Sequence, residues 1–209
     1  MNINKKTDAL IVIDPQNDFC EGGALAVNGA TSIMSLINSL SERFDHVVIS
    51  QDWHPQDQIS FASNHENGAP FSTVETEYGE QTLWPDHCVQ GTTGADFHPD
   101  VADAILRANV IIRKGTNPSV DSYSAFYEND RKTSTGLTGL LRGLGIKRIY
   151  LVGLAFDYCV RYTAEDGVRD GFSVTVITDA TKAIAPETED AARESFKAIG
   201  VHETRSSQV

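Results

Sequence analysis

Lys147-Arg148-Ile149-Tyr150-Leu151-Val152-Gly153-Leu154-Ala155-Phe156-Asp157-Tyr158-Cys159-Val160-Arg161 is the stretch from which the fold can be read. Its first half, Ile149 to Val152, is an apolar run rich in β-branched and aromatic residues, the pattern of a buried strand. Its second half turns helical, because Val160, Ala164 and Val168 recur at i, i+4 and i+8. Asp157 stands where an N-cap is expected, so Cys159 falls in the first turn of that helix. A thiol there faces the positive end of the helix and exposed backbone N–H groups, and both favour the thiolate. The same N–H groups suit a developing oxyanion. A lone cysteine at such a junction is ordinarily a packing residue. Its meaning therefore depends on its company.

The strand–helix alternation continues on both sides. Ala9 to Ile13 is a near-continuous apolar run that stops at Asp14-Pro15, as expected of a strand buried on both faces. Ile33, Leu36, Ile37 and Leu40 have helical spacing, and His46 to Ser50 is a second strand running into Gln51-Asp52-Trp53-His54-Pro55. Val101, Ile105 and Leu106 predict a short helix. Val110 to Arg113 is a third strand, ending at Lys114-Gly115. Leu137, Leu140, Leu141 and Leu144 mark a helix that Gly145 is placed to end. After the central stretch, Phe172 to Ile177 is a further strand. Thr188 to Ala198 is a last helix with Ala191, Ala192, Phe196 and Ala198 on its face, and His202-Glu203-Thr204 a short closing strand. The pattern predicts a single three-layer α/β/α domain over residues 1–209 with a mainly parallel sheet. One long insert, about residues 52–100, shows no sustained periodicity. Both tryptophans and Phe61, Phe71 and Phe97 lie in it, which argues for an ordered, functional loop over a disordered one.

With 209 residues the chain has ample length for one core, and its net charge of −12 comes without any basic cluster. Nucleic acid and anionic membrane are thereby disfavoured as partners. No apolar run approaches the length of a membrane span. Cys20, Cys88 and Cys159 are odd in number and widely spaced, which is no disulfide framework and points to a reducing cytoplasm. Monomer and homo-oligomer both remain compatible with the sequence.

Ligands of parallel α/β sheets bind beyond the C-terminal ends of the strands. Asp14, Asp52 with His54, Lys114 and Cys159 all fall at such ends, hence on one rim. Asp14, Lys114 and Cys159 form a chemical set: a thiol nucleophile, a carboxylate to take its proton, and a lysine to stabilise both anions. A plain Asp14–Lys114 ion pair at the strand ends is the structural alternative. Asp52 and His54, at i and i+2 of an extended segment, point the same way and suit a divalent cation with mixed O/N ligands. His65, His87 and His98 are the candidates for a third ligand. His87, in Trp84-Pro85-Asp86-His87-Cys88, has the most rigid setting. Cys20 and Cys88 are read as packing residues.

Assembled, these segments make the chain resemble the nicotinamidase/pyrazinamidase branch of the isochorismatase-like cysteine hydrolases. The resemblance spans nearly the whole length. It rests on Asp14-Pro15-Gln16-Asn17-Asp18-Phe19-Cys20, Gly22-Gly23-Ala24-Leu25-Ala26-Val27, Gln51-Asp52-Trp53-His54-Pro55, Trp84-Pro85-Asp86-His87-Cys88-Val89, Arg113-Lys114-Gly115 and Gly153-Leu154-Ala155-Phe156-Asp157-Tyr158-Cys159-Val160. It implies a Rossmann-like central sheet and hydrolysis of nicotinamide, or pyrazinamide, to the acid and ammonia in NAD salvage. Cys159 would be the nucleophile, Asp14 the proton carrier and Lys114 the stabiliser. The N–H groups of Ala155 and Cys159 would form the oxyanion hole, next to a cis Leu154–Ala155 peptide. Asp52, His54 and His87 would hold one divalent ion (zinc, iron or manganese), with Ser60 a possible addition to its shell. Phe19, Leu25, Trp84, Tyr123 and Ala155 would line the pocket for a small aromatic amide, a ring whose nitrogen is a borderline ligand for such an ion. Two other readings keep the fold: the same thiol chemistry on a carbamoyl or ureido amide, and a non-catalytic binding or scaffold protein.

Overall fold

The computed structural model describes residues 2–209. Its elements in chain order are β1 (Asp8–Ile13), α1 (Met34–Ser41), β2 (Val47–Asp52), β3 (Thr73–Thr76), β4 (Gly79–Thr82), α2 (Ala102–Arg107), β5 (Val110–Lys114), α3 (Leu137–Gly143), β6 (Arg148–Leu154), α4 (Arg161–Arg169), β7 (Ser173–Lys182), α5 (Pro186–Ile199) and β8 (His202–Thr204). Six strands form one sheet in the order β5-β2-β1-β6-β7-β8, with every neighbouring pair parallel. The expected three-layer architecture is present.

The strict alternation of side chains along a strand builds the two outer layers. Leu10 and Val12 of β1 join Tyr150, Val152 and Leu154 of β6 on one face, packed against Met34, Ile37 and Leu40 of α1 and Ala104 of α2. Ala9, Ile11 and Ile13 point the other way. They join Ile149 and Leu151 against Leu137 and Leu141 of α3, Ala164 of α4, and Ala192 and Phe196 of α5. All six residues of β1 are buried, which accounts for its unbroken apolar run.

Some expectations need correction. Leu106 and Leu144 are exposed. Leu144 falls one residue past the end of α3, and α2 is a six-residue helix that buries Ala104 instead. On α5 the buried pair is Ala192 and Phe196, one i, i+4 row, while Ala191 and Ala198 lie at the surface. Small residues carry little facing information. The insert is not without regular structure: β3 and β4 form an antiparallel hairpin. Its strands are polar and largely exposed, so no apolar alternation announces them.

From β1 the chain moves outward to β2 and β5, then crosses back to place β6 on the other side of β1. The strand order thus reverses between β1 and β6, where ligand crevices form in such sheets. Gly153 is needed at this crossing. Its φ is +106°, and a Cβ there would stand 2.1 Å from the carbonyl oxygen of Ile13. Gly139, inside α3, has open space around it. We therefore expect Gly153→Ala to cost about 3 kcal/mol or more, from strain and clash. Gly139→Ala should add roughly 0.5–1 kcal/mol through helix propensity. Urea midpoints of the two variants check this; a Gly153→Ala midpoint equal to the parent would refute the close-contact argument.

Candidate active site

Lys114 ends β5, directly opposite Asp52 at the end of β2. Its side chain is fully enclosed. Nζ lies 2.9 Å from Asp14 Oδ2 and 2.5 Å from Asp52 Oδ1. It also donates to the Ser122 carbonyl at 2.9 Å and reaches Cys159 Sγ at 3.4 Å. Asp14 follows β1 with a left-handed φ of 45°, and the Ser50 hydroxyl donates to its Oδ1 at 2.7 Å. The three residues expected to act together are thus one contact set. Burial opposes the charge on Lys114, but Asp14 and Asp52 outweigh it and hold the ammonium well above its usual range. Burial pushes the Asp14 carboxyl up to about 6 against the pull of Lys114. Burial also works against ionised Asp52, yet Lys114, His54 and His87 more than compensate and hold it well below the usual carboxylate range.

Cys159 lies in one π turn, Phe156–Val160, that leads into α4. The expectation of a ready thiolate does not hold in this setting. Burial drives the thiol well above its ordinary value, and Lys114 offsets this only in part. Asp14, Asp52 and Cys159 each present a ligand atom within 4.8 Å of the others, so the proton is kept beside a carboxylate able to accept it. Asp157 is not the cap of its own helix. Its carboxylate accepts from the backbone N–H groups of Ile184 and Ala185 and from the Thr188 hydroxyl, at the start of α5. It pins α5 to the turn that carries the thiol. The Leu154–Ala155 peptide is cis.

Asp52, His54 and His87 form a second buried cluster, with ligand atoms all within 4.8 Å. Nδ1 of His54 faces the Gly115 carbonyl at 3.0 Å, and Nδ1 of His87 the Pro85 carbonyl at 2.8 Å. Both Nε2 atoms are thereby turned toward Asp52 Oδ2, at 3.6 and 3.9 Å. One carboxylate oxygen and two imidazole nitrogens held by outer hydrogen bonds form a donor set that fits a divalent cation. Phe61 packs edge-on against both rings. The neighbouring Ser60 hydroxyl is buried with no hydrogen-bond partner among the described residues. His65 and His98 are used elsewhere: His65 Nε2 lies 2.6 Å from the Ile59 carbonyl, and His98 Nδ1 accepts from the Asp100 N–H.

The two clusters meet in one pocket. Cys159, Asp52, His54 and His87 line it together with Phe19, Leu25, Trp84, Tyr123 and Ala155, all of them expected from the sequence. Asp121, Tyr158 and Ile184 also line it and were not expected. Tyr158 sits beside Cys159 in sequence, so adjacency was a usable signal. Ile184 reaches the pocket only through the Asp157 tie. The aromatic walls hold one another: the Tyr123 hydroxyl accepts from Trp84 Nε1 at 3.2 Å and from Gln81 Nε2 at 2.7 Å. Trp84 and Tyr158 meet edge to face at 4.8 Å. Cys20 and Cys88 are buried in the core, as read from the sequence, and all three cysteines are unpaired with one another. No helix among the described residues is long and apolar enough to cross a membrane.

The isochorismatase domain family matches residues 8–208. A nicotinamidase of Acinetobacter baylyi is 54% identical over 84% of this chain and 81% of its own length. The solved nicotinamidase/pyrazinamidase of Acinetobacter baumanii superimposes with a TM-score of 0.95 at 48% identity, covering 97% of this chain and 98% of that one. A protein of L. infantum solved with nicotinate gives 0.87 at 38% identity, covering 99% and 96%. The Pyrococcus horikoshii pyrazinamidase solved with zinc gives 0.77 at 39% identity, covering 95% and 98%.

Two outcomes are expected from this geometry. His87→Ala removes one of three ligands and should lose bound zinc in equilibrium dialysis; full retention would take His87 out of the cation site. Iodoacetamide should modify Cys159 ahead of Cys20 and Cys88, because among the three it is the thiol that lines the pocket. Peptide mass mapping that finds Cys20 or Cys88 alkylated first would contradict this.

Proposed function

The chain belongs to the isochorismatase domain family, and from that premise we propose that it is a nicotinamidase, hydrolysing nicotinamide to nicotinic acid and ammonia and acting on pyrazinamide as well. The observation that carries this reading is the meeting of the Cys159 thiol and the Asp52–His54–His87 cluster in a single aromatic-walled pocket. A thiol with its acid and lysine explains attack on an amide. A pyridine ring explains why a cation cluster stands beside it.

The residues divide the work as follows. Asp14 takes the Sγ proton while sulfur attacks the carboxamide carbon. The carbonyl oxygen becomes an oxyanion facing the backbone N–H groups of Ala155 and Cys159. As the tetrahedral adduct collapses, Asp14 returns the proton to the departing nitrogen, and ammonia leaves a thioester. Asp14 then removes a proton from water, whose oxygen attacks the thioester carbon. The acid is released and sulfur regains a proton. An Asp14 carboxyl near 6 suits this repeated exchange at neutral pH. Lys114 keeps its charge throughout and steadies each anion that forms beside it. Asp52, His54 and His87 would hold one divalent cation, and we assign zinc, iron or manganese as candidates, with Ser60 adding a neutral oxygen to its shell. When bound, the cation supplies a Lewis-acid position for the ring nitrogen of the substrate. Phe19, Leu25, Trp84 and Tyr123 flank the ring, which is orientation catalysis in a largely apolar pocket. Nicotinic acid so released would feed NAD salvage.

Ammonia release from nicotinamide is the direct test, with benzamide, which lacks the ring nitrogen, in parallel. We expect fast release from nicotinamide, little from benzamide, and loss of activity after chelation. Cys159→Ala should lower turnover by at least ~10⁴-fold while still binding nicotinic acid. Equal rates on both amides would keep the amidase and discard the ring–cation contact; wild-type turnover by Cys159→Ala would discard the nucleophile.

A further inference from the structure

One acid of the pocket has no part in the chemistry above. Asp121 follows β5, is 2% exposed, and lines the pocket beside the cation cluster. Its Oδ1 stands 4.0 Å from His54 Nε2, the nitrogen turned toward Asp52. It is nevertheless set back from the close group of Asp52, His54 and His87.

Its orientation is built. Oδ1 accepts from the Ser122 N–H at 2.6 Å, and Oδ2 lies 3.3 Å from Gln81 Nε2, whose closer acceptors, both at 2.7 Å, are the Thr82 carbonyl and the Tyr123 hydroxyl. Gln81 is itself buried and fixed on β4: its Oε1 accepts from Asn129 Nδ2 at 2.9 Å and from the Tyr78 hydroxyl at 3.2 Å. The Asn129 N–H in turn donates to the Asp121 carbonyl at 2.7 Å. The Ser122 N–H is the one close donor to a carboxylate that offers about four lone-pair sites, so accepting capacity remains.

Charge gives a second, independent reason. A buried carboxylate needs a compensating positive charge. Lys114 is already shared between Asp14 and Asp52, and His54 is the one cation-forming side chain within ion-pair distance of Asp121 among the described residues. With neutral imidazoles, three buried carboxylates face one ammonium. A divalent ion bound there would supply positive charge that the ammonium alone does not.

We propose that Asp121 is an outer carboxylate of the cation site: it accepts hydrogen bonds from water carried by the ion, completes the charge balance, and is oriented by the Ser122 N–H. This rests on the cation-site reading above and adds a positioning residue to it.

The experiment measures zinc alone, without substrate, on the full chain stripped by a chelator and titrated against a chromophoric competitor. Asp121→Asn keeps the shape and removes the charge; zinc affinity should fall 10- to 100-fold, the range for losing an outer-shell partner. The metal-free variant should melt at or above the wild-type temperature, because an uncompensated buried charge has gone. A residue with a merely structural role would instead lower the melting temperature and leave affinity alone. Asp121→Ser also removes the charge, and it decides the matter by the same criterion if Asp121→Asn does not fold. Glu80→Gln, an equal loss of charge on the exposed part of the hairpin, should leave zinc binding unchanged. Equal affinity in Asp121→Asn and wild type overturns the proposal. Wild-type protein that binds no zinc overturns it together with the cation site, and chelator-insensitive turnover of nicotinamide would show that the amidase reading survives.

Discussion

The ammonium of Lys114 is the charge on which the site depends. Two carboxylates and a thiol converge on it from three other strand ends, in a place closed to water. Without it Asp14 and Asp52 would face each other buried and unpaired, an arrangement that costs several kcal/mol when one partner of such a set is removed. The parallel register makes the convergence possible. Asp52 is aligned with Lys114 across β2 and β5, and Lys114 then reaches over β2 to the acid that ends β1.

Asp52 divides its two oxygens between two jobs. Oδ1 serves Lys114 and Oδ2 faces the imidazoles. One side chain therefore joins the Lys114–Asp14–Cys159 group to the two histidines. The two acids beside Lys114 are driven apart in acidity by their neighbours. Asp14, burdened mainly by burial and by the Asp52 charge, is raised; Asp52, with two histidines as well as the lysine, is lowered. Such separation lets one carboxylate carry protons while the other stays ionised.

Much of this was legible in the sequence because strand ends in a parallel sheet share a rim. The apolar runs of β1, β5 and β6 gave the strands, and their polar ends gave Asp14, Lys114 and Cys159. The pocket walls Phe19, Leu25, Trp84 and Tyr123 came from resemblance, since spacing cannot say which way a loop side chain turns. What escaped did so for physical reasons. The β3–β4 hairpin is too polar and exposed to show a period. Asp157 sits in a capping position by sequence, but its carboxylate is taken by the Ile184 and Ala185 N–H groups just ahead of α5, 27 and 28 residues further on. The thiol was expected to be acidified by a helix end, and burial outweighs that field. Asp121, two residues ahead of Tyr123, had a local signal: an acid in an otherwise uncharged run from Gly115 to Tyr127. That it would stand 4.0 Å from His54 Nε2, 67 positions away in sequence, could not be read.

The order reversal between β1 and β6 has a further consequence for how the protein comes into being. The reactive groups are drawn from positions 14, 52, 114 and 159, and the strand that delivers the thiol inserts beside the first one made. Long-range parallel pairings of this kind form late, after their chain-closure entropy has been met. Since Asp157 also fastens α5 to the thiol's turn, even the last helix takes part. A growing chain therefore carries four harmless fragments of a hydrolase, and reactivity appears only when the whole molecule has closed around them.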